Sequence, residues 1–169
     1  LWRGIAVRIS EFYRMIGAKA RGPASEEEVL SAETRLGGIL PKGLRDWYLE
    51  ADGFDGEAET LCWRFPSLAR THTVAQRFGV EVIEVKWRGR ETRRVAASHY
   101  AIFCDAMIYL PFYAANICPG DPCHGEVIGS EEEEPGVAWL AADAFDQFEA
   151  ELFTHYEDTL ISAIPDGPR

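Results

Sequence analysis

The sequence has no apolar run approaching the ~18 residues that a membrane-spanning helix needs. It shows no cleavable signal pattern. It contains no glycine-rich phosphate loop, no Gly-x-Ser-x-Gly and no His-Glu-x-x-His, so the sequence marks of nucleotide binding, serine hydrolysis and zinc proteolysis are missing. Basic charge is scarce in the second half. Residues 101–130 hold no lysine or arginine, and residues 131–169 hold one against eleven acidic side chains. Such a surface repels phosphate backbones, so nucleic acid is excluded as a partner. Cysteine is sparse as well: Cys62, Cys104, Cys118 and Cys123. A chain rich enough in apolar residues to build a core has no need of a disulfide framework. A reducing, cytoplasmic setting is expected.

What is present is a core-former with an acidic surface. Of 169 residues, 47% are hydrophobic and 12% aromatic, and the net charge is −11. That length and apolar content predict one domain over 1–169, with 1–23 as a lead-in helix and 165–169 as a polar tail.

The most structured stretch runs from Ala24 to Gly56. Ser25 and Glu28 have the spacing of a capping box, in which each side chain satisfies the other's free backbone N–H. Glu26, Glu27 and Glu28 place negative charge at the positive end of the helix dipole. Val29, Ala32 and Leu36 share one helical face, and Gly37-Gly38 supplies a left-handed stop. Pro41 suits the first turn of a second helix with Leu44, Trp47, Tyr48 and Ala51 inward, and Asp52-Gly53 turns the chain out of it.

Around this stretch the pattern predicts helices first, then strands, then a helix. Residues 1–21 read as a helix with Trp2, Ile5, Ile9, Phe12, Tyr13 and Ile16 inward. Trp63 and Phe65 share a strand face, and residues 67–78 form a short helix closed by Gly79. Alternation around Ile83 and Val85, a turn at 88–90 and a return over 92–97 predict a hairpin. Residues 101–105 and 108–113 read as two strands, the second broken or near an edge because of Pro111. Short strands follow at 126–128 and 137–140, separated by a turn at Glu131–Glu134. Phe145, Phe148, Leu152, Tyr156, Leu160 and Ile164 mark a closing helix. The fold class is α+β, an antiparallel sheet of about five to six strands with helices packed at one side.

The Ala24–Gly56 stretch resembles the signature of the SUKH superfamily, the Smi/Knr cell-wall-regulator-like domains. The matching elements are Ser25-Glu26-Glu27-Glu28, Leu36-Gly37, Leu40-Pro41, Leu44–Leu49 and Asp52-Gly53. Trp63, Phe103–Asp105, Tyr109, Gly125–Val127, Trp139, Phe145 and Phe148 follow in similar order, so the resemblance spans about residues 24–155. The chain departs from it in a longer 80–98 segment, in Asp52-Gly53 where Asn-Gly is usual, and in its leading helix. The resemblance implies a non-enzymatic binding domain without cofactors. It points to the bacterial immunity-protein type, which neutralises a cognate polymorphic toxin in the cytoplasm. Fungal relatives act as scaffolds, so an interaction scaffold or regulatory adaptor is the alternative.

Three groups of residues compete for a functional role. The first is acidic: Asp52, Asp55, Glu57 and Glu59 on the exit of the signature, and Glu131, Glu132, Glu133 and Glu134 on a later turn. If the two meet in space they form one anionic patch, suited to steering a basic partner such as a nuclease toxin. The second is a basic hairpin with Arg88, Arg90, Arg93 and Arg94, either a docking patch or a solvated edge that discourages aggregation. The third is the loop Cys118–His124. Cys118, Cys123 and His124 can be drawn as metal ligands, but the spacing lacks the two tight pairs of zinc motifs. No metal is assigned, and a local disulfide or free thiols are the simpler expectation. A nucleophile built from His99, Cys104 and Asp105 fails because adjacent strand residues point to opposite faces.

Overall fold

The computed structural model describes residues 8–55, 63–86, 91–106 and 111–154. Helix α1 covers Ile9–Met15 and buries Ile9, Phe12 and Tyr13. The helix expected over 1–21 is corrected here. Gly17 takes a left-handed φ of 72°, which turns the chain, and Lys19–Ala20 leave as strand β1. Residues 1–7 lie outside the described residues.

Helix α2, Glu26–Leu36, begins as its sequence dictates. Glu28 N–H donates to Ser25 Oγ at 3.2 Å, and Ser25 N–H donates to Glu28 Oε2 at 2.7 Å. Gly37 ends the helix at φ 76°. The next glycine is required for a different reason: a Cβ on Gly38 would lie 2.5 Å from the Ile117 carbonyl oxygen. Pro41 caps helix α3, Lys42–Glu50, from just outside rather than sitting in its first turn. Leu44, Trp47 and Tyr48 face the core. Gly53, at φ 70°, passes so close to Phe65 that a Cβ would sit 2.3 Å from its carbonyl oxygen. Strand β2, Phe54–Asp55, then pairs antiparallel with β1.

The remaining strands are β3 (Trp63–Arg64), β4 (Val82–Lys86), β5 (Arg93–Ala96), β6 (Tyr100–Ala106), β7 (Pro111–Asn116), β8 (Val127–Glu131) and β9 (Val137–Ala142). They form one seven-stranded sheet in the order β3-β6-β7-β8-β9-β4-β5. The core of the sheet is an antiparallel meander from β6 to β9. The expected hairpin is present as β4–β5, with Ile83 opposite Val95. Its attachment was not expected: β4 lies parallel to β9, Val85 opposite Ala138. The sheet is therefore mixed, and larger than five to six strands.

The expected edge position of Pro111 is also corrected. β7 is central, and all six of its residues are buried. Proline is tolerated because it is the strand's first residue, where one missing N–H interrupts no continuous ladder. Residues 107–110 lie outside the described residues.

Each face of the sheet has its own apolar cluster. One joins α1, α2, α3 and helix α5 (Phe145–Thr154) to Ala101, Phe103, Tyr113, Ala115 and Val127. Trp47 is its hub, with ring centroids of Phe145 at 4.9 Å, Phe153 at 5.7 Å and Phe103 at 6.0 Å. The other face carries Tyr100, Ile102, Phe112, Ala114, Ile128 and Ala138 under the short helix α4, Val74–Phe78. Phe78 stacks on Phe112 at 5.1 Å. The helix expected over 67–78 is thus divided: a 3-10 turn at Leu68–Arg70 precedes α4, and Thr73 restarts it with its own capping box through Gln76. Of the stripe expected in the closing helix, Phe145, Phe148 and Leu152 are buried, and the later members fall outside the described residues.

Candidate functional site

The turn between β8 and β9 is built to project carboxylates. Glu134 N–H donates to the Glu131 carbonyl at 3.1 Å, and Val137 N–H to the Glu134 carbonyl at 3.0 Å. Ser130, buried at the strand end, ties the turn's base by donating to the Val137 carbonyl at 2.6 Å. Glu131, Glu133 and Glu134 are exposed. Among the described residues none of the three has a cationic partner.

Glu132 differs from its neighbours. Arg77, at the C-terminal end of α4, donates one guanidinium nitrogen to Glu132 and another to Asp105. Asp105 also accepts from Arg64 Nε at 2.8 Å. The guanidinium of Arg77 lies over the Phe78 ring, 5.2 Å from its centroid. One side of the acidic turn is therefore anchored to the sheet through an Arg64–Asp105–Arg77–Glu132 chain. Nothing local in the sequence marks Arg77 for this, because its partners are 28 and 55 residues away.

The other acidic candidates do not join the turn through any described contact. Asp52 is half-buried and accepts the Leu68 N–H at 2.7 Å. Burial raises its carboxyl above the usual range, the Leu68 bond opposing. It is a structural tie between the signature exit and the turn before α4. Asp55 contributes its backbone to β2, opposite Lys19. Glu57, Glu59, Arg88 and Arg90 lie outside the described residues.

The other end of β8 holds a polar cluster that the sequence reading missed. Glu126 is 3% exposed. It accepts from the Tyr100 hydroxyl and from the Arg93 guanidinium. Burial first, and then the Glu126 carboxylate, push the Tyr100 phenol well above its ordinary value. The hydrogen bond to Glu126 in turn holds the Arg93 guanidinium firmly protonated. Arg93 is thus a built-in partner rather than part of a solvated basic edge, whereas Arg94 is exposed and only 4.0 Å from Glu84. A lone glutamate heading an apolar strand, inside a thirty-residue span without lysine or arginine, was the available signal that a cation must arrive from elsewhere.

Above this cluster runs the Cys118–His124 loop. Asp121 accepts from the Cys123 N–H at 2.8 Å and from the Asn116 amide at 3.1 Å. The Cys123 bond is the main cause that lowers its carboxyl. Cys118 and Cys123 are free thiols, both partly exposed, and no disulfide joins them. His124 Nε2 bonds the Ile39 carbonyl at 2.8 Å, which ties the loop to the linker between α2 and α3. Among the described residues no three His, Cys, Asp or Glu side chains converge as metal ligands. Cys104 is in the core, and burial pushes its thiol up; Asp105 turns to Arg64 and Arg77 instead. The two do not meet in one reactive centre.

A smaller acidic seam lies where α3 meets α5. Trp47 Nε1 donates to Glu149. Burial raises the Glu149 carboxyl against that bond, and the nearby charges of Asp146, Asp46 and Glu50 add to the rise. Among the described residues no helix is long and apolar enough to cross a membrane. A scan against protein-family models finds no match, and a search of curated proteins finds none either.

Proposed function

We propose that this chain is a non-catalytic protein-binding domain of the SUKH type, acting as an immunity protein that neutralises a basic toxin. The observation that carries the reading is the Glu131–Glu134 turn: three exposed carboxylates without a cationic partner among the described residues, projected from the end of the sheet and steadied on one side by Arg77. Carboxylates held this way favour a cationic surface and speed its approach. A toxin that binds phosphate backbones must itself be basic, so an anionic immunity surface fits its active site by charge. Inhibition is by occlusion of the toxin's active site, with no chemical step performed on the toxin.

The family reading is supported by how the signature works within the fold. Ser25–Glu28 starts α2, Gly37 and Gly38 let the chain pass under Ile117, Pro41 sets α3, and Gly53 permits the close approach to Phe65. These parts of the signature have structural jobs, which leaves recognition to the turns.

The direct test is co-expression of the full chain with the toxin encoded beside its own gene. Survival of the host, and a stable complex of the two purified proteins, are the expected results. Death of the host with the chain well expressed and folded overturns the proposal.

A further inference from the structure

The Cys118–His124 loop holds two thiols for which neither the fold nor the proposed binding role accounts. We infer that it is a thiol–disulfide exchange site, in which Cys123 captures a low-molecular-weight disulfide such as oxidised glutathione and Cys118 resolves the adduct into a loop disulfide.

The two thiols are not equivalent. Arg93 Nη1 donates to Cys123 Sγ at 2.7 Å, while its Nη2 is held by Glu126. The guanidinium is therefore locked against the sulfur by a buried carboxylate on another element, rather than resting there by chance. A fixed hydrogen-bond donor on the sulfur and partial exposure hold Cys123 Sγ in place at a position open to a small disulfide. Cys118 Sγ has no hydrogen-bond partner among the described residues. It remains within the same compact turn: Asp121 N–H donates to the Cys118 carbonyl at 3.1 Å, and Cys123 N–H returns to Asp121 Oδ1 at 2.8 Å. Asp121 thereby bonds the backbone of both cysteines within one turn. Cys104, fully buried, has no access to an aqueous disulfide.

The chemistry balances in two steps. The Cys123 thiol gives its proton to water, and the thiolate attacks one sulfur of the small disulfide. A Cys123–glutathione S–S bond forms, the original S–S bond breaks, and one glutathione leaves as thiolate and takes up a proton. The Cys118 thiol then gives its proton to water, and its thiolate attacks the Cys123 sulfur. The Cys118–Cys123 bond forms, the Cys123–glutathione bond breaks, and the second glutathione leaves as thiolate and takes up a proton. Two protein thiols are oxidised, and one disulfide is reduced to two thiols.

The test exposes the reduced full-length chain to oxidised glutathione and follows each cysteine by peptide mapping and mass spectrometry, which also separates Cys62 and Cys104. The wild-type chain is expected to end two hydrogens lighter, with a Cys118–Cys123 bridge. Cys118→Ser is expected to stop with glutathione on Cys123. Arg93→Gln is expected to slow capture at Cys123 by roughly threefold, because the donor that fixes the sulfur is lost. That variant can fail to fold, so a second comparison leaves Arg93 in place: Cys123 in the folded Cys118→Ser chain should react faster than the same residue in urea. Three results overturn the inference: glutathione captured first at Cys118, folded Cys123 reacting no faster than unfolded, or no bridge in the wild-type chain.

Discussion

Strand β8 carries glutamate at both ends, and the two ends have opposite roles. Glu126, just before the strand, is buried and shared between Arg93 and Tyr100. Glu131, its last residue, and Glu133 and Glu134 in the turn beyond are exposed, and among the described residues Glu132 alone of the four has a cation. The same side chain, five residues apart, locks one end of the sheet and offers charge at the other. Composition registers both as acidity. Only the partner, brought in from α4 or β5, decides whether a carboxylate is structure or surface.

The comparison breaks most visibly at Glu126. Replacing it with alanine leaves the Tyr100 hydroxyl without an acceptor for its proton and the Arg93 charge unpaired. Breaking a buried pair costs ~3–5 kcal/mol, and with Arg93 40% exposed we expect about 3 kcal/mol. Urea unfolding measures it, and a loss below ~1 kcal/mol would mean that the pair does not hold the strand end.

Asp105→Ala is expected to cost less, about 2 kcal/mol, because Arg64 and Arg77 keep access to water. Its second effect is the sharper one. With Arg77 released from Asp105, the Glu132 side of the turn loses its anchor, so hydrogen exchange at residues 131–136 should accelerate while the β6–β7 pairing stays protected. An unchanged exchange rate in the turn would show that Arg77 is not what steadies it.

Changing Glu131, Glu133 and Glu134 together to glutamine, with Glu132 left on Arg77, should leave stability within ~0.5 kcal/mol, as expected of solvated surface positions. A large loss of stability would place these residues on the structural side of the comparison.

The smallest effect concerns Glu149, a third kind of carboxylate, half-buried in the seam between α3 and α5. Its carboxyl is raised from an ordinary 4.5 by burial. The folded chain then binds that proton more tightly than the unfolded chain, so this group's contribution to stability falls as pH rises from 4.5 through the raised value. Glu149→Gln should flatten that part of the stability–pH curve, and Asp52, raised by burial in the same sense, keeps the remaining slope. A variant curve as steep as wild type would remove Glu149 from the account.

Much of the fold was legible where physics is local. The Ser25–Glu28 box, the Gly37 stop, the inward Trp47 and Tyr48, the β4–β5 hairpin and the Glu131–Glu134 turn all follow from neighbours a few residues apart. What was not legible depends on distant partners. Period-two alternation in β4 says which residues face the core, but not that the strand lies parallel to β9. Pro111 looked like an edge residue because its central position depends on β6 and β8, not on itself. The site divides the same way. The acidic turn was visible as a run of glutamates, whereas Arg77, Arg93 and the burial of Glu126 became readable only when the sheet placed them together. Asp52 looked like a surface carboxylate and is a tie to Leu68.

The central claim is that the outward end of β8 recognises a basic toxin. Stopped-flow association of the full chain with that toxin, across a salt series, tests it most directly. The wild-type rate should fall steeply as salt rises, and the variant with Glu131, Glu133 and Glu134 changed to glutamine should associate about tenfold more slowly at low salt with a flatter dependence. Equal rates and equal salt slopes for the two chains would contradict the account.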